Sequence, residues 1–555
     1  MTVTLDHGRN AGPRSGPASG RSPSRPTAPT APWWLRVVGV MLAMAFAFPG
    51  AYLVWRNFTE GADPAGLLVS RRTMEPLART LQLAVAVSIS AMVAGTGLAW
   101  LTTRTDVPLA RLWRILLPLP LVFPTFIGAA ALIRTFNPGG LANDVLANVG
   151  IERTPELRGF VGAWYVLTLF TYPYVYLPVA AGFRQLSGSL EDSARVLGDG
   201  PWRIFRRICL PQVSSAIGAG TLLVFLYTVS DFGAVELLRY DTLTRAINTN
   251  LLANQPVALA LSFILLLLAA TVVVIERTFS RRMPQIGRHR ASQPVVYPLG
   301  RWRIPATILL LIALASAVGG PMVALIDWSA EGLLRVRGGG RSLTIDRADV
   351  VDATLGTVQV SVIAAIVAVA AVLPIAYLVG RYRSRAGNLA NAVIISTFAL
   401  PGLLIALSIS FWKLRSTTTF ELLNDTMGLL IFAYVVRFGS LAMGVSLVAV
   451  RSVPQRLLDA AATLGAGRVR RLTTIDLPIM APGLAAGGGL VLLSVMKELP
   501  ITLLLSPLGF SSLATRMFLS FQDAFVAEAG IMAVVLVALS FVLSWFLVIR
   551  RADHL

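Results

Sequence analysis

This chain has little charge. Asp, Glu, Lys and Arg make up 14% of its 555 residues, against 55% hydrophobic residues. A soluble protein of this length needs far more charge to cover its surface, so a soluble globular fold is excluded. Lysine is nearly missing: Lys413 and Lys497 stand alone, in FWKL and VMKE. A nucleotide-binding P-loop needs Gly-Lys-Ser/Thr, with the lysine reaching the β- and γ-phosphates. Neither lysine follows a glycine, so the chain carries no such loop. The single cysteine, Cys209, excludes an intrachain disulfide and a cysteine metal cluster. His7, His289 and His554 lie far apart in polar segments, which argues against a histidine zinc site. With no nucleophile–base set in view, a membrane enzyme lacks its chemistry.

Long apolar runs are what the chain does have. Its mean hydropathy is +0.70, and runs of about 20 residues recur, enough to cross a hydrocarbon core of about 30 Å. About twelve such runs are expected. They fall at 35–55, 80–102, 113–134, 159–182, 214–236 and 257–276, then at 304–326, 354–380, 389–411, 427–450, 481–504 and 527–549. The fold class is an all-α polytopic membrane protein, and the bilayer is its first partner. The net charge of +20 invites a nucleic-acid reading. However, the arginines are spread over many short loops, as they are in the cytoplasmic loops of membrane proteins, and no nucleic-acid partner is expected.

Residues 1–33 are rich in Pro, Ser, Gly, Ala and Arg and read as a disordered basic tail. The run at 35–55 reads as a signal anchor rather than a cleaved leader. Its small-x-small triplets, such as Ala43–Ala45, sit inside the apolar stretch, and a long tail precedes it. With the N-terminus inside, the cytoplasmic segments hold roughly 30 of the Lys and Arg residues and the external ones roughly 16, which supports that orientation.

One pattern occurs twice. Residues 192–211 read DSARVLGDGPWRIFRRICLP, and residues 459–478 read DAAATLGAGRVRRLTTIDLP. Asp192, Ser193, Ala194, Gly198, Ile208, Leu210 and Pro211 match Asp459, Ala460, Ala461, Gly465, Ile475, Leu477 and Pro478 at one offset of 267 (192 to 459, 198 to 465, 211 to 478). The repeat extends upstream at an offset of 277. Thr80-Leu-Gln82-Leu matches Thr357-Val-Gln359-Val, Arg104 matches Arg381, and Pro124 matches Pro401. The outer loop between the third and fourth runs must therefore be about ten residues shorter in the second half, a change such loops tolerate. Six spans per half is an even number, so both halves insert in parallel, with a pseudo-two-fold axis along the membrane normal. The organisation read is a tail at 1–33, a first half at 34–276, a cytoplasmic linker at 277–303 with seven arginines, and a second half at 304–555.

Each copy should form a short helix, a turn and a second short helix. The acid would open the first helix, where it suits the N-terminal dipole. The small Ala194 and Ala461 would admit another protein surface. Gly198 and Gly465 would end the helix with positive φ, and Ile-x-Leu-Pro would start the next membrane span, with proline in its first turn. This repeated segment resembles the EAA loop of ABC-importer permeases, which docks on the ATPase subunit. It departs from that family in carrying Asp for the usual Glu in both copies and Ser193 for Ala in the first. The strings SDFG at 230–233 and KELPITLLL at 497–505 resemble the ferric-iron type of fused permease, over about residues 35–550.

The resemblance implies a type I permease core with both halves in one chain, in the bacterial cytoplasmic (inner) membrane, with both termini cytoplasmic. It implies two copies of an ABC ATPase below, one per loop, and one extracytoplasmic solute-binding protein above. No cofactor is expected on this chain; ATP and Mg would be used by the ATPase. Ferric iron is the preferred cargo, with thiamine, polyamine, phosphonate or another small anion as alternatives. A secondary transporter of the major-facilitator kind is the rival class. Its Gly-x-x-x-Asp-Arg-x-Gly-Arg-Arg pattern is missing from TTRTDVPLARLWR, and the repeated loop has no task in it.

Asp231 and Glu498 form a second matched pair, again 267 apart, within expected membrane runs. A carboxylate near the bilayer centre costs roughly 2.5–3.5 kcal/mol and is normally turned inward. Two readings stay open: a lining of the translocation path, or a local structural role at the break marked by Pro500, with Lys497 pairing to Glu498. Tyr172, Tyr174 and Tyr176 could offer iron oxygen ligands, but membrane packing explains them more simply. Gly338–Gly340 between arginines could hold an anion, but a flexible turn is the simpler reading.

Overall fold

The computed structural model describes residues 31–60, 66, 70–136, 156–186, 188–282, 295–337, 346–415 and 426–546. Residues 1–30 of the tail expected over 1–33, the three histidines, Gly338–Gly340, linker residues 283–294 and most of the outer loops expected to differ in length lie outside the described residues; Trp33, placed in the tail, already begins a helix.

Each apolar run becomes helix, because in lipid a helix satisfies its backbone groups within one segment. Among the described residues ten helices are long and apolar enough to cross a membrane: Trp33–Thr59, Arg71–Arg104, Gly159–Gln185, Pro201–Ser230, Gln255–Ile275, Gly300–Ala330, Arg347–Gly380, Met427–Ser452, Arg468–Met496 and Val526–Ser544. The third and ninth spans are bent pairs, Ala110–Val122 with Thr125–Phe136 at 97° and Arg385–Thr397 with Gly402–Arg415 at 103°. With each pair taken as one span the total reaches 12. These bends correct the straight helices expected over 113–134 and 389–411. They fall at Pro124 and Pro401. Proline donates no hydrogen bond and its ring meets the carbonyl four residues back, so it ends one helix and begins another.

The fifth and eleventh spans also end earlier than expected, at Ser230 and Met496. Short helices follow at Gly233–Leu237 and Pro500–Leu505, then Leu243–Ala253 and Leu513–Gln522. Asp231 and Glu498 therefore sit in helix breaks, not inside membrane helices as expected.

The upstream repeat proves to be a fastening. Thr80 Oγ1 donates to Pro76 O at 2.7 Å and accepts from the Leu243 amide at 2.8 Å. Thr357 Oγ1 donates to Ala353 O at 2.7 Å and accepts from the Leu513 amide at 2.9 Å. Each threonine thus ties a short helix beyond the break to the second span of its half.

The first span of each half reaches across to the other. Trp33–Glu60 packs against Arg385–Thr397 and Gly402–Arg415 of the second half. The Phe46 ring would lie 2.6 Å from a Cβ at Gly439 of the tenth span, and Ser408 Oγ in the bent pair donates to Pro49 O at 2.7 Å. In mirror fashion the seventh span packs against Thr125–Phe136 of the first half and against the twelfth span, where Trp328 meets Gly530. The larger buried core joins residues of both halves.

Candidate functional site

The two repeated segments fold alike. The first gives a helix Gly188–Val196, a turn at Gly198 with φ +85°, and a helix resuming at Pro201. The second gives Gln455–Thr463, Gly465 with φ +79°, and Arg468 onward. In both turns the glycine takes the left-handed conformation that its sequence position suggests. The second short helix is not separate, however. It runs into the membrane span through a π-helical turn, Phe205–Cys209 or Leu472–Asp476. Pro211 and Pro478 follow that turn rather than starting a helix. Locally widening to i→i+5 bonding accommodates a proline that can neither donate nor tolerate the usual carbonyl. In each half the second limb of the turn and the membrane span are thus one continuous rod, Pro201–Ser230 or Arg468–Met496.

Contrary to expectation, Asp192 and Asp459 do not open their helices; each is the fifth residue. Asp192 pairs with Arg195 at 3.6 Å and Asp459 accepts from Gln455 Nε2 at 3.0 Å, both on the solvent side. The first-turn acid of the first helix is Glu191. Ala194 is buried against its own chain rather than presented to a partner. Ala461 is half-buried; Ser193 and Ala460 are exposed. Ile208, Leu210, Ile475 and Leu477 are partly buried, in the π-helical turns or just after them.

The outward knobs were missed. Leu197 is 84% exposed and Leu464 87%. Trp202 is 72% exposed and Val469 75%. Both pairs lie 267 apart (197 to 464, 202 to 469). Apolar side chains at the crest of a solvent-facing turn cost free energy unless something covers them. The two sets match in position and in exposure. The signal was in the sequence: a leucine directly before each turn glycine.

Within the membrane, charges hold the two bends. Lys497 Nζ donates to Leu121 O at 2.9 Å, and Arg437 Nη1 donates to Phe398 O at 2.9 Å and to Leu400 O. Leu121 and Phe398 are equivalent, 277 apart. Carbonyls at a helix end lack partners and carry partial negative charge, which suits a cation. Beyond each bend a helix N-terminus faces a carboxylate. Thr125, first residue of Thr125–Phe136, donates from Oγ1 to Asp231 Oδ2 at 2.7 Å. Glu498 Oε1 sits where a Cβ on Gly402, first residue of Gly402–Arg415, would be 2.3 Å away. The pairs are complementary in size: a short acid meets a threonine, and an acid one methylene longer meets a glycine.

The same acids cap the short helices beyond. Asp231 Oδ1 accepts from the Ala234 amide at 3.0 Å, and the Ile501 amide faces Glu498. Of the local structural reading, Glu498 caps the helix after the break, but Lys497 does not pair with it. Lys497 reaches into the other half, while Arg437 is the cation acting on Glu498. Tyr174 packs on Tyr227 at 5.6 Å, Tyr172 donates to Leu117 O at 2.7 Å, and Tyr176 bonds Thr102 at 3.1 Å. Their hydroxyls do not converge on one point. Among the described residues no group of His, Cys, Asp and Glu is placed to hold a metal.

Two pseudo-equivalent helical halves, each with a solvent-facing glycine turn at one end and a charge-held bend in the bilayer, define a two-half membrane permease. The chain belongs to the binding-protein-dependent transport system inner membrane component family, whose model matches it twice, over residues 89–285 and 372–552. It is similar to the Fe(3+)-transport system permease protein FbpB 2 of Haemophilus influenzae, at 27% identity over 516 residues, 92% of this chain and 96% of that protein. It is also similar to the sulfate transport system permease protein CysT of Escherichia coli, 28% identical over 37% of this chain and 76% of the relative. The molybdenum transport system permease protein ModB of Mycobacterium tuberculosis is 27% identical over 40% of this chain and 81% of its own length. This chain is a multi-pass inner-membrane permease subunit of an ABC importer, with both halves in one polypeptide. Partners of the ATPase and solute-binding kinds follow from that family in general.

Proposed function

We propose that this permease admits ferric iron, with one ATPase seated on each turn (two copies in all) and one binding protein on the outer face. The observation carrying the cargo is the likeness to an Fe(3+)-transport permease across both halves, 92% of this chain and 96% of that relative. A small oxyanion is the second reading, favoured by the sulfate and molybdenum relatives and by Lys497 and Arg437 at the bends. Both termini lie in the cytoplasm, as the arginine bias favours. ATP and Mg belong to the ATPase. ATP closure moves Asp192–Pro211 and Asp459–Pro478 together, and the rods from Pro201 and Arg468 carry that motion to the bends. Asp231 and Glu498 flank the path there and favour a cation.

The test is uptake by vesicles holding the permease, its ATPase and its binding protein. Radiolabelled ferric iron should enter with ATP, and sulfate and molybdate should not compete. Asp231→Asn should slow iron uptake several-fold while loaded binding protein still stimulates ATP hydrolysis. Transport of sulfate or molybdate without iron would replace the first reading with the second.

A further inference from the structure

The two docking turns are alike in shape but differ in how they are held. Arg104, at the inner end of the second span, is 0% exposed and pairs with Glu191 of the helix Gly188–Val196, itself 1% exposed. The second oxygen of Glu191 accepts from Tyr297 Oη at 2.5 Å. Tyr297 lies at the end of the segment joining the halves, and its backbone is laced to the same span. Its amide donates to Arg104 O at 2.8 Å, its carbonyl accepts from the Asp106 amide at 3.3 Å, and the Leu299 amide donates to Asp106 Oδ1 at 2.8 Å. The Arg195 guanidinium lies over the Tyr297 ring at 4.8 Å, and Trp100 stands 5.3 Å from it. Burial and the bond to Glu191 push the Tyr297 hydroxyl above the ordinary tyrosine range, so it stays a donor.

Among the described residues, no such clamp holds the helix Gln455–Thr463 of the second half. Arg381 is the counterpart of Arg104, but the position matching Glu191 is Leu458. Arg381 instead bonds Gln455 Oε1 at 3.1 Å on the exposed side and Asp476 Oδ1 at 3.2 Å in the π-helical turn. Asp476 stands where the first half has Cys209. No residue of Gln455–Thr463 is buried.

We propose that the linker end acts as a strap, with Tyr297 and Glu191 as positioning residues that fix the first docking turn to the membrane core and leave the helix of the second, tied through Gln455 on its exposed side and by partly buried Leu458, less tightly held. The inference rests on both turns receiving an ATPase. The fused chain then drives its bends unequally, with a tighter seat on one side than on the other. A chain of two separate halves would have no covalent strap to do this.

Hydrogen exchange on the full chain in lipid nanodiscs, without ATPase, tests the strap by itself. Amides of 188–196 should exchange at least tenfold more slowly than those of 455–463. Tyr297→Phe removes only the hydroxyl and should raise the 188–196 rates tenfold while leaving 455–463 unchanged. Glu191→Gln should do the same. With the ATPase added, Tyr297→Phe should lower the solute carried per ATP hydrolysed. Equal exchange in the two turns of the wild-type chain would overturn the strap, as would no change in either variant. Failure of the ATPase to bind at all would strike the docking reading and leave the exchange result standing.

Discussion

Two acids show how single residues divide the work. Asp231 and Glu498 differ by one methylene, and their neighbours at the bends, Thr125 and Gly402, differ in the opposite sense. A buried carboxylate costs roughly 2.5–3.5 kcal/mol at the bilayer centre. A helix N-terminus returns about 0.3–2 kcal/mol of that, and a neighbouring cation or hydroxyl adds to it. Gly402→Ala should therefore push the Glu498 carboxylate off its helix end, lowering stability by about 1–2 kcal/mol and slowing uptake. Glu498→Asp should also lose, because its carboxylate falls short. Combining the two rebuilds the first-half arrangement of short acid and larger neighbour, and should recover part of the loss. Thermal unfolding of the four proteins in detergent makes the cycle; strictly additive losses would reject the complementarity.

At the scale of the element, the turn and its rod are one device. The glycines at 198 and 465 have open space around an added Cβ, so substitution meets no neighbour, only the positive φ. A left-handed L-residue costs roughly 1–2 kcal/mol, which a short exposed helix cannot absorb without rearranging its turn. Gly198→Leu with Gly465→Leu should insert normally but abolish transport, because Leu197 and Leu464 no longer point where a partner can cover them. Membrane content by immunoblot and uptake by the same cells decide it. Wild-type uptake in the double variant would remove these turns from the coupling path. Each single change should cost less, with two turns sharing the load.

The whole molecule is held by exchange between its halves. The first span lies on the second half's bend and the seventh on the first half's bend, so neither half closes its core alone. The orientation of this assembly has a direct test. In a Cys209→Ser background, Arg203→Cys and Arg468→Cys should react with impermeant maleimide only from the cytoplasmic face, and Leu508→Cys only from outside. External labelling at either turn would invert the topology and take the ATPase sites with it.

Much of this is legible in the sequence alone. Apolar run length determined the membrane class, because backbone satisfaction in lipid allows little else. The constant spacing of Asp-x-Ala and Gly determined two parallel halves and the place of both turns, because a glycine that must adopt positive φ is a local requirement. The tertiary structure alone decided the rest. It bent the third and ninth spans at Pro124 and Pro401, where the unbroken apolar pattern suggested straight helices. It gave Lys497 a carbonyl in the other half, left Arg437 to Glu498, sent each first span across the axis, and tied Tyr297 to Glu191. These are long-range choices. They depend on side-chain lengths and unsatisfied helix ends that meet only after folding, and no local period in the chain records them.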